Sequence, residues 1–408
     1  MKTMVDPSIN EHGSRLDRLQ LAALAGLMVI GALFVCSATM ANPDIAAHPW
    51  YRQMWVHQIV WYIVGIGAGA AICCVDYHVL TRWSTVIYWA TIFFLIMVLI
   101  PHIGATHYGA RRWIELKVFE LQPSEFAKLA FILAGANFLS RPADELKQPV
   151  IFWKAIGLIL LPFALILKEP DLGSALVLVP TGLCMMYVAG IPKRFLLQLF
   201  GVVGLLGVLV IADVLFAPPA LQIPIHEYQR DRLLVYFGRD YTHFASSNAS
   251  ATELETKRRQ QLADEYNVRQ ALISVGSGGL MGKGWRHGTQ NALGYLPSAG
   301  ANNDFIFSTI AEEEGFVGSV ILLALYAVVL FAGLRIAGQA RDRLGKLVAV
   351  GVVTLLFSHV FINIGMNIRI MPVTGIPLPL VSYGGSSVLG SLIAAGLMQN
   401  VYIHRKGY

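Results

Sequence analysis

An aspartate stands where a long polar stretch gives way to an apolar run: Asp304, followed by Phe305-Ile306-Phe307-Ser308. A carboxylate at a water–lipid boundary, beside the basic residues of the stretch before it, has the chemistry of a general base that takes a proton from a hydroxyl. The same position also suits a helix N-cap, whose carboxylate accepts backbone N–H bonds. Both readings stand on the residue type alone. Glu312, Glu313 and Glu314 follow about two turns further into the run, and acids there are costly unless they face a cavity or pair with cations.

A second set of charges lies in the first half. Gln122-Pro123-Ser124-Glu125-Phe126-Ala127-Lys128 reads as a helix start, with proline near the first position and Ser and Glu near the free backbone donors. Glu125 and Lys128 share a face at i and i+3, and pairing offsets the cost of placing either near lipid. The pair is a scaffold or the polar floor of a cavity, with Asp171 as a third member from the neighbouring Lys168-Glu169-Pro170-Asp171 hairpin. Arg111 and Arg112, beside Trp113, suit bidentate contact with a diphosphate or anchoring among lipid headgroups.

Gly276-Ser277-Gly278-Gly279-Leu280-Met281-Gly282-Lys283-Gly284-Trp285 lacks the hydroxyl and the glycine spacing of a nucleotide-binding loop. Its glycines predict a turn whose backbone approaches a polar substrate closely, with Lys283 available to a phosphate. Asn363 to Asn367, the prolines at 372, 377 and 379 and the glycines near Ser387 predict irregular backbone at membrane depth. Such backbone is tolerated only where it lines a protein-walled or wet cavity.

The elements that must position these groups are membrane helices. The chain has 408 residues, 55% hydrophobic and 14% charged, with a mean hydropathy of +0.58. That is more apolar surface than a soluble core buries. About ten runs are long enough to cross a hydrocarbon core of about 30 Å. They lie roughly at 19–40, 54–74, 86–100, 124–139, 151–167, 172–189, 195–216, 313–334, 347–368 and 381–403. The expected fold is thus an all-α polytopic membrane protein, a single unit over 1–408, with one large extracytoplasmic loop at 218–303 between the seventh and eighth spans. Within the loop, 251–263 reads as a short exposed amphipathic helix.

Basic residues in the short loops, among them Arg82, Arg141, Lys193, Arg335, Arg343 and Arg405, put the N- and C-termini in the cytoplasm. The net charge of +6 largely expresses this topology and does not indicate nucleic-acid binding. The four cysteines fall in or beside apolar runs without metal-ligand spacing and read as buried thiols. The first apolar run is long for a signal peptide and is read as a span.

Taken in order, Gly109 to Trp113, Gln122 to Lys128, Pro170-Asp171-Leu172-Gly173, Tyr228 to Arg232, Gly276 to Trp285, Gly288-Thr289-Gln290, Leu296-Pro297, Asp304 to Phe307, and Asn363 to Met366 through Ser387 resemble the SEDS family. These bacterial envelope proteins serve shape, elongation, division and sporulation, and the resemblance is to the RodA branch more than to the FtsW branch.

The resemblance implies a peptidoglycan glycosyltransferase of the bacterial cytoplasmic membrane that polymerises lipid II at the outer face, with undecaprenyl diphosphate leaving. It also implies a role in cell elongation, and as partners membrane lipid, the nascent glycan and a class B penicillin-binding protein. It places the catalytic aspartate on Asp304 and substrate contacts on Arg111, Arg112, Lys283, Gln290, Arg232 and Ser387. Structural or cavity roles fall on Glu125, Lys128, Asp171 and Glu312. A divalent cation, Mg or Mn, joins the diphosphate as an open possibility.

Two departures from the family pattern stand out. The approach from Pro297 to Asp304 is two residues longer, with Asn303 where threonine is common, and Arg369 occupies a site where a small residue is usual. A precursor flippase and a non-catalytic scaffold for a penicillin-binding protein are the competing readings.

Overall fold

The computed structural model describes residues 16–40, 49–101, 104–107, 110–116, 119–217, 227–238, 251–295 and 298–405. Gly109, Leu296 and Pro297, part of the motifs above, lie outside the described residues, as does much of 218–250. Among the described residues the long helices are α1 (Arg18–Met40), α2 (Met54–Cys73), the short α3 (Tyr77–Arg82), α4 (Ser84–Leu99), α5 (Pro123–Leu139), α6 (Pro149–Lys168), α7 (Leu172–Ala189) and α8 (Lys193–Phe216). They continue with α9 (Glu227–Phe237), α10 (Ala251–Ser277), α11 (Ile306–Gln339), α12 (Arg343–Asn367) and α13 (Gly385–Ile403). Eight of these, α1, α2, α6, α7, α8, α11, α12 and α13, are long and apolar enough to cross a membrane. The apolar helices α4 and α5, at 16 and 17 residues, pack into the same bundle.

The mainly helical expectation holds, with one addition. Between α4 and α5 the chain forms a three-stranded antiparallel sheet, β1 (Gly104–His107), β2 (Ala110–Leu116) and β3 (Phe119–Leu121), in the order β1-β2-β3. Trp113 pairs with Ala105, and Ile114 with both Gly104 and Leu121. The isoleucine is buried, so the hairpin sits on the bundle end rather than projecting from it.

Local chemistry sets the helix ends. Asp171 caps α7 by accepting from the Ser174 amide at 3.1 Å, and Asp342 caps α12 by accepting from the Gly345 amide at 2.8 Å. Proline opens α5 and α6, where its missing N–H costs nothing, and Gly190 closes α7 in the left-handed conformation at φ 88°. Arg369 holds the left-handed turn after α12 at φ 58°, a geometry that costs a residue with a side chain about 1–2 kcal/mol. This is the physical reason a small residue is expected there.

The bundle is built around α12, which is buried over 78% of its most apolar stretch and packs on α5, α7, α11 and α13. Only 6% of the corresponding stretch of α8 is buried, so its leucines, valines and phenylalanines face lipid. At one end, here the terminal end, Asp17 before α1 meets Gln399 of α13 and Arg335 of α11, and Tyr77 of α3 meets Asn400. The opposite end carries Asp304.

Three features of the helices differ from expectation. The amphipathic helix expected over 251–263 runs on to Ser277, and Asn363 and Asn367 belong to the last turns of α12 rather than to a loop. The third difference is inside α11, where Gly315 leaves helical geometry at φ 65° and ψ −158°. A break here strands backbone donors and acceptors in an apolar setting, where each lacks water.

The glycine-rich turn supplies the missing partners. Lys283 and Gly284 donate their amides to the Glu312 and Glu313 carbonyls at 3.1 and 2.8 Å, and the Phe316 and Val317 amides donate to the Gly279 and Leu280 carbonyls at 2.9 and 3.1 Å. The close backbone approach foreseen for these glycines is therefore to α11 itself. A Cβ on Gly278 or Gly282 would collide with the Ala311 or Glu313 carbonyl, and Gly282 also sits at φ 77°.

Gly282→Ala is therefore expected to lower stability by at least about 2 kcal/mol, combining left-handed strain with the collision. Gly276→Ala, where an added Cβ meets nothing within 4 Å in a helix, serves as the control and should be neutral or slightly stabilising. Thermal unfolding in detergent reads both. Equal midpoints for the two variants would contradict the docking of this turn.

Candidate active site

The approach to α11 is held by its carbonyls. The Asn302 carbonyl accepts from the Tyr383 amide at 2.9 Å, and the Asn303 carbonyl accepts from the Ser382 hydroxyl at 2.6 Å. The Asp304 carbonyl accepts from the side-chain amides of Asn363 and Asn367, each at 3.0 Å. Three successive residues are thus fixed from outside their own segment. No helical hydrogen bond could do this, because the chain here is not helical.

Asp304 does not act as the N-cap. Phe305 takes that position, without a side-chain capping bond. The Asp304 carboxylate is left with Oδ1 buried and without a hydrogen-bond partner. Gly375 lies alongside at φ 75°, its Cβ position 3.5 Å from Asp304 Oδ2. A glycine both adopts that turn and keeps space beside the carboxylate.

Burial pushes the Asp304 carboxyl up to about 6; Arg232 and then Arg112 pull it back down, and Asp171 adds a smaller upward push. A group with that value is mostly ionised at neutral pH yet still basic enough to take a proton. Arg232 reaches this site from α9, anchored by a 3.0 Å bond to the Val373 carbonyl. Arg112 arrives from β2 and donates to the Glu169 carbonyl at 3.2 Å and to the Pro170 carbonyl, with Asp171 Oδ1 at 4.0 Å. Asp171 accepts from the Ser174 amide on Oδ1 and from Gln122 Nε2 on Oδ2, the latter at 3.0 Å. Arg111, its neighbour on β2, is exposed.

Asp171 therefore joins Arg112 and Asp304, not the Glu125–Lys128 pair as its place in the hairpin suggested. Glu125 Oε1 and Lys128 Nζ are 2.7 Å apart and buried, and the third partner is His359 of α12, whose Nε2 lies 2.8 Å from Lys128 Nζ. With His359 Nδ1 placed 2.9 Å from the Leu355 carbonyl, Nδ1 carries the proton and Nε2 accepts from the ammonium. Sequence spacing missed His359 because its partner is 231 residues away.

Lys283 and Glu312 form another cluster. The Lys283 ammonium donates to Glu312 Oε1 at 2.6 Å, Thr289 Oγ1 at 2.6 Å and Ser277 Oγ at 3.0 Å. An ammonium has three donors, so none remains for a phosphate, contrary to the expectation from its glycine-rich setting. Thr289 Oγ1 and the Gln290 amide also donate to Glu312 Oε1, at 3.0 Å each. Glu313 is met by the Ser37 hydroxyl at 2.6 Å and the Arg286 amide at 2.9 Å. The acids of α11 thus fasten the glycine-rich turn, with Gln290 attached through its backbone and its side-chain Oε1 buried without a partner.

Ser387 is buried at the start of α13. Its neighbour Ser386 joins α13 to the sheet, accepting from the Gln122 amide and donating to the Glu120 carbonyl, both at 3.0 Å. Among the described residues no three His, Cys, Asp or Glu side chains gather as a metal cage. Near Asp304, Asp171 accepts one protein donor on each of its two oxygens.

The family model for cell cycle proteins of the FtsW, RodA and SpoVE group matches residues 17–407. The chain belongs to the SEDS family. Among SEDS relatives, Peptidoglycan glycosyltransferase MrdB of Escherichia coli (strain K12) is 35% identical over 393 residues, covering 96% of this chain and 94% of its own. Stage V sporulation protein E of Bacillus subtilis (strain 168) is 35% identical over 378 residues, covering 92% and 93%. The crystal structure of Thermus thermophilus Rod shape determining protein RodA superposes with a TM-score of 0.64 at 25% identity, over 96% of this chain and 98% of that one. A chain of a peptidoglycan synthase complex, solved for the structural coordination of polymerization and crosslinking, gives 0.72 at 26% identity, over 96% and 99%. This SEDS chain is a bacterial membrane protein.

Two predictions follow from the charges of the SEDS bundle. Lys128→Met strands a buried carboxylate and is expected to cost about 3–5 kcal/mol, whereas Glu125→Leu combined with Lys128→Met should recover much of it. A double variant no more stable than Lys128→Met alone, measured by thermal unfolding, would contradict the pairing.

Glu169, fully buried with both oxygens unpartnered, is pushed up to about 9 by burial and by Asp171, against the opposing pull of Arg112. Its folded pKa is raised, so the folded state holds the proton more tightly than the unfolded state. Stability should fall as pH rises from the ordinary carboxylate range towards 9. Glu169→Gln, an isostere of the neutral acid, should flatten that dependence at little cost near neutral pH; an unchanged slope would show that Glu169 is ionised.

Proposed function

We propose that this chain is a peptidoglycan glycosyltransferase that polymerises lipid II at the outer face of the cytoplasmic membrane, on the elongation branch of its family. The observation that carries the reading is the Asp304 carboxylate, whose Oδ1 is buried without a protein partner and whose charge is balanced by Arg232 and Arg112. A carboxylate beside two guanidiniums suits a reaction that needs a base and an anion site together.

In the proposed step Asp304 Oδ1 takes the proton of an acceptor sugar hydroxyl as that oxygen attacks the anomeric carbon of the donor. The bond from that carbon to the diphosphate oxygen breaks, and undecaprenyl diphosphate leaves with the electron pair. Arg112 and Arg232 stabilise the departing charge, with exposed Arg111 at the entrance. Glu125, Lys128 and His359 tie α5 to α12 within the bundle. Lys283 and Glu312 hold the glycine-rich turn on α11.

The topology that fits this chemistry has the Asp304 end outside and both termini in the cytoplasm. The basic residues at the terminal end, among them Arg335 and Arg343, which bonds to Arg141 and Ala189, support that orientation. A class B penicillin-binding protein is the proposed partner, in keeping with the similarity to a chain from a complex that coordinates polymerization with crosslinking.

Purified protein supplied with lipid II and a divalent cation is expected to form glycan strands. The Asp304→Asn variant should lose at least about 10²-fold in rate, the scale of a general base. The wild-type rate should rise with pH to half its maximum near 6, following ionisation of Asp304. Polymer formed at the normal rate by Asp304→Asn would overturn the assignment, and lipid translocation without polymer would favour a flippase.

A further inference from the structure

The family likeness and the charges around Asp304 leave open what holds that carboxylate with one oxygen unspent. We propose that Asn363 and Asn367, one turn apart on α12, are positioning residues that act on Asp304 through its backbone carbonyl. This rests on the catalytic reading of Asp304 given above.

The geometry is closed at both amide nitrogens. A carbonyl oxygen has two lone pairs, and the Asp304 carbonyl receives two amide donors at 3.0 Å. The second N–H of Asn363 goes to the Ile376 carbonyl at 2.7 Å, which ties down the residue after Gly375 on the other side of the carboxylate. The second N–H of Asn367 goes to the Asn363 carbonyl at 2.8 Å, and its Oδ1 accepts from the Ser308 hydroxyl at 2.6 Å. Each amide therefore has one possible orientation, because its nitrogen faces carbonyls and the Asn367 oxygen faces a hydroxyl. Asn363 and Asn367 are themselves fully buried.

An aspartate ahead of an apolar helix is free to swing its carboxylate onto the exposed amides of the first turn. The two asparagines oppose this by anchoring the backbone from the far side. They touch no reacting atom, so their contribution is to the placement of Asp304 and to its separation from water. The charged groups that face the carboxylate are Arg232 from α9, Arg112 from β2 and Asp171 ahead of α7. None of them contacts either asparagine in the bonds described.

The test uses the double variant Asn363→Leu/Asn367→Leu in the full chain, with two readouts. The first is polymerisation kinetics: kcat is expected to fall at least about 10-fold while KM for lipid II stays within about 2-fold, since a misplaced base harms the chemical step more than binding. The second is infrared titration of the Asp304 carboxyl, taken as the difference between each protein and its Asp304→Asn counterpart. Its midpoint should move down towards the ordinary carboxylate range as water reaches the group.

A lower melting temperature with kcat per folded molecule and titration midpoint both unchanged would mean a purely structural role and would overturn the proposal. If the double variant does not fold, Ser308→Ala decides, because it removes only the hydroxyl that orients Asn367. A several-fold loss of kcat with a downward midpoint supports the proposal, and unchanged values overturn it. Should the wild-type chain form no glycan, the functional reading fails while the infrared titration still decides the clamp.

Discussion

A carboxylate at the mouth of a helix has a ready use, accepting the unpaired amides of the first turn, and that use would consume it. The capture of the Asn302, Asn303 and Asp304 carbonyls by Tyr383, Ser382, Asn363 and Asn367 removes the choice. With the backbone held on that side, Phe305 becomes the N-cap and the Asp304 carboxylate remains unspent.

The elements that supply those partners depend on one another. The irregular segment between α12 and α13 reaches Asn302 and Asn303 only because Tyr62 and Gln58 of α2 and Tyr326 of α11 bind its carbonyls, at Leu380, Ser382 and Pro379. About two to three turns further along α11, the break at Gly315 is closed by the glycine-rich turn and fastened by Lys283 on Glu312. Charge is handled alike at each place. Glu125 with Lys128 and His359, Glu312 with Lys283, and Asp171 with Gln122 are clusters tied by direct hydrogen bonds, whereas Asp304 is balanced by guanidiniums without being hydrogen-bonded by them.

Much of this was legible in the residues. Hydropathy marks the helices because the bilayer admits little else, and a polar Glu-Pro-Asp hairpin within apolar sequence has few structural uses. Asp304, Arg112 and Arg232 were singled out and meet electrostatically. Lys283 was misread because glycines beside a lysine suggest a phosphate cradle, while the backbone they approach belongs to α11, a tertiary fact. His359 carried no signal because its partner lies far away in the chain, and the two asparagines, which read as irregular backbone at a cavity, gave no sign of their contact with Asp304 for the same reason. The small sheet was hidden in a stretch too short and too charged for a strand pattern to stand out against its apolar surroundings.

The central claim is that the fold holds Asp304 by its backbone so that its carboxylate meets the substrate. A high-resolution structure of the protein with a lipid II analogue bound tests it most directly. The expected result is the Asn363 and Asn367 amides still on the Asp304 carbonyl, with Oδ1 at hydrogen-bond distance, about 3 Å, from an acceptor sugar hydroxyl. A carboxylate turned onto the first amides of α11, with the sugar hydroxyls bound elsewhere, would contradict it.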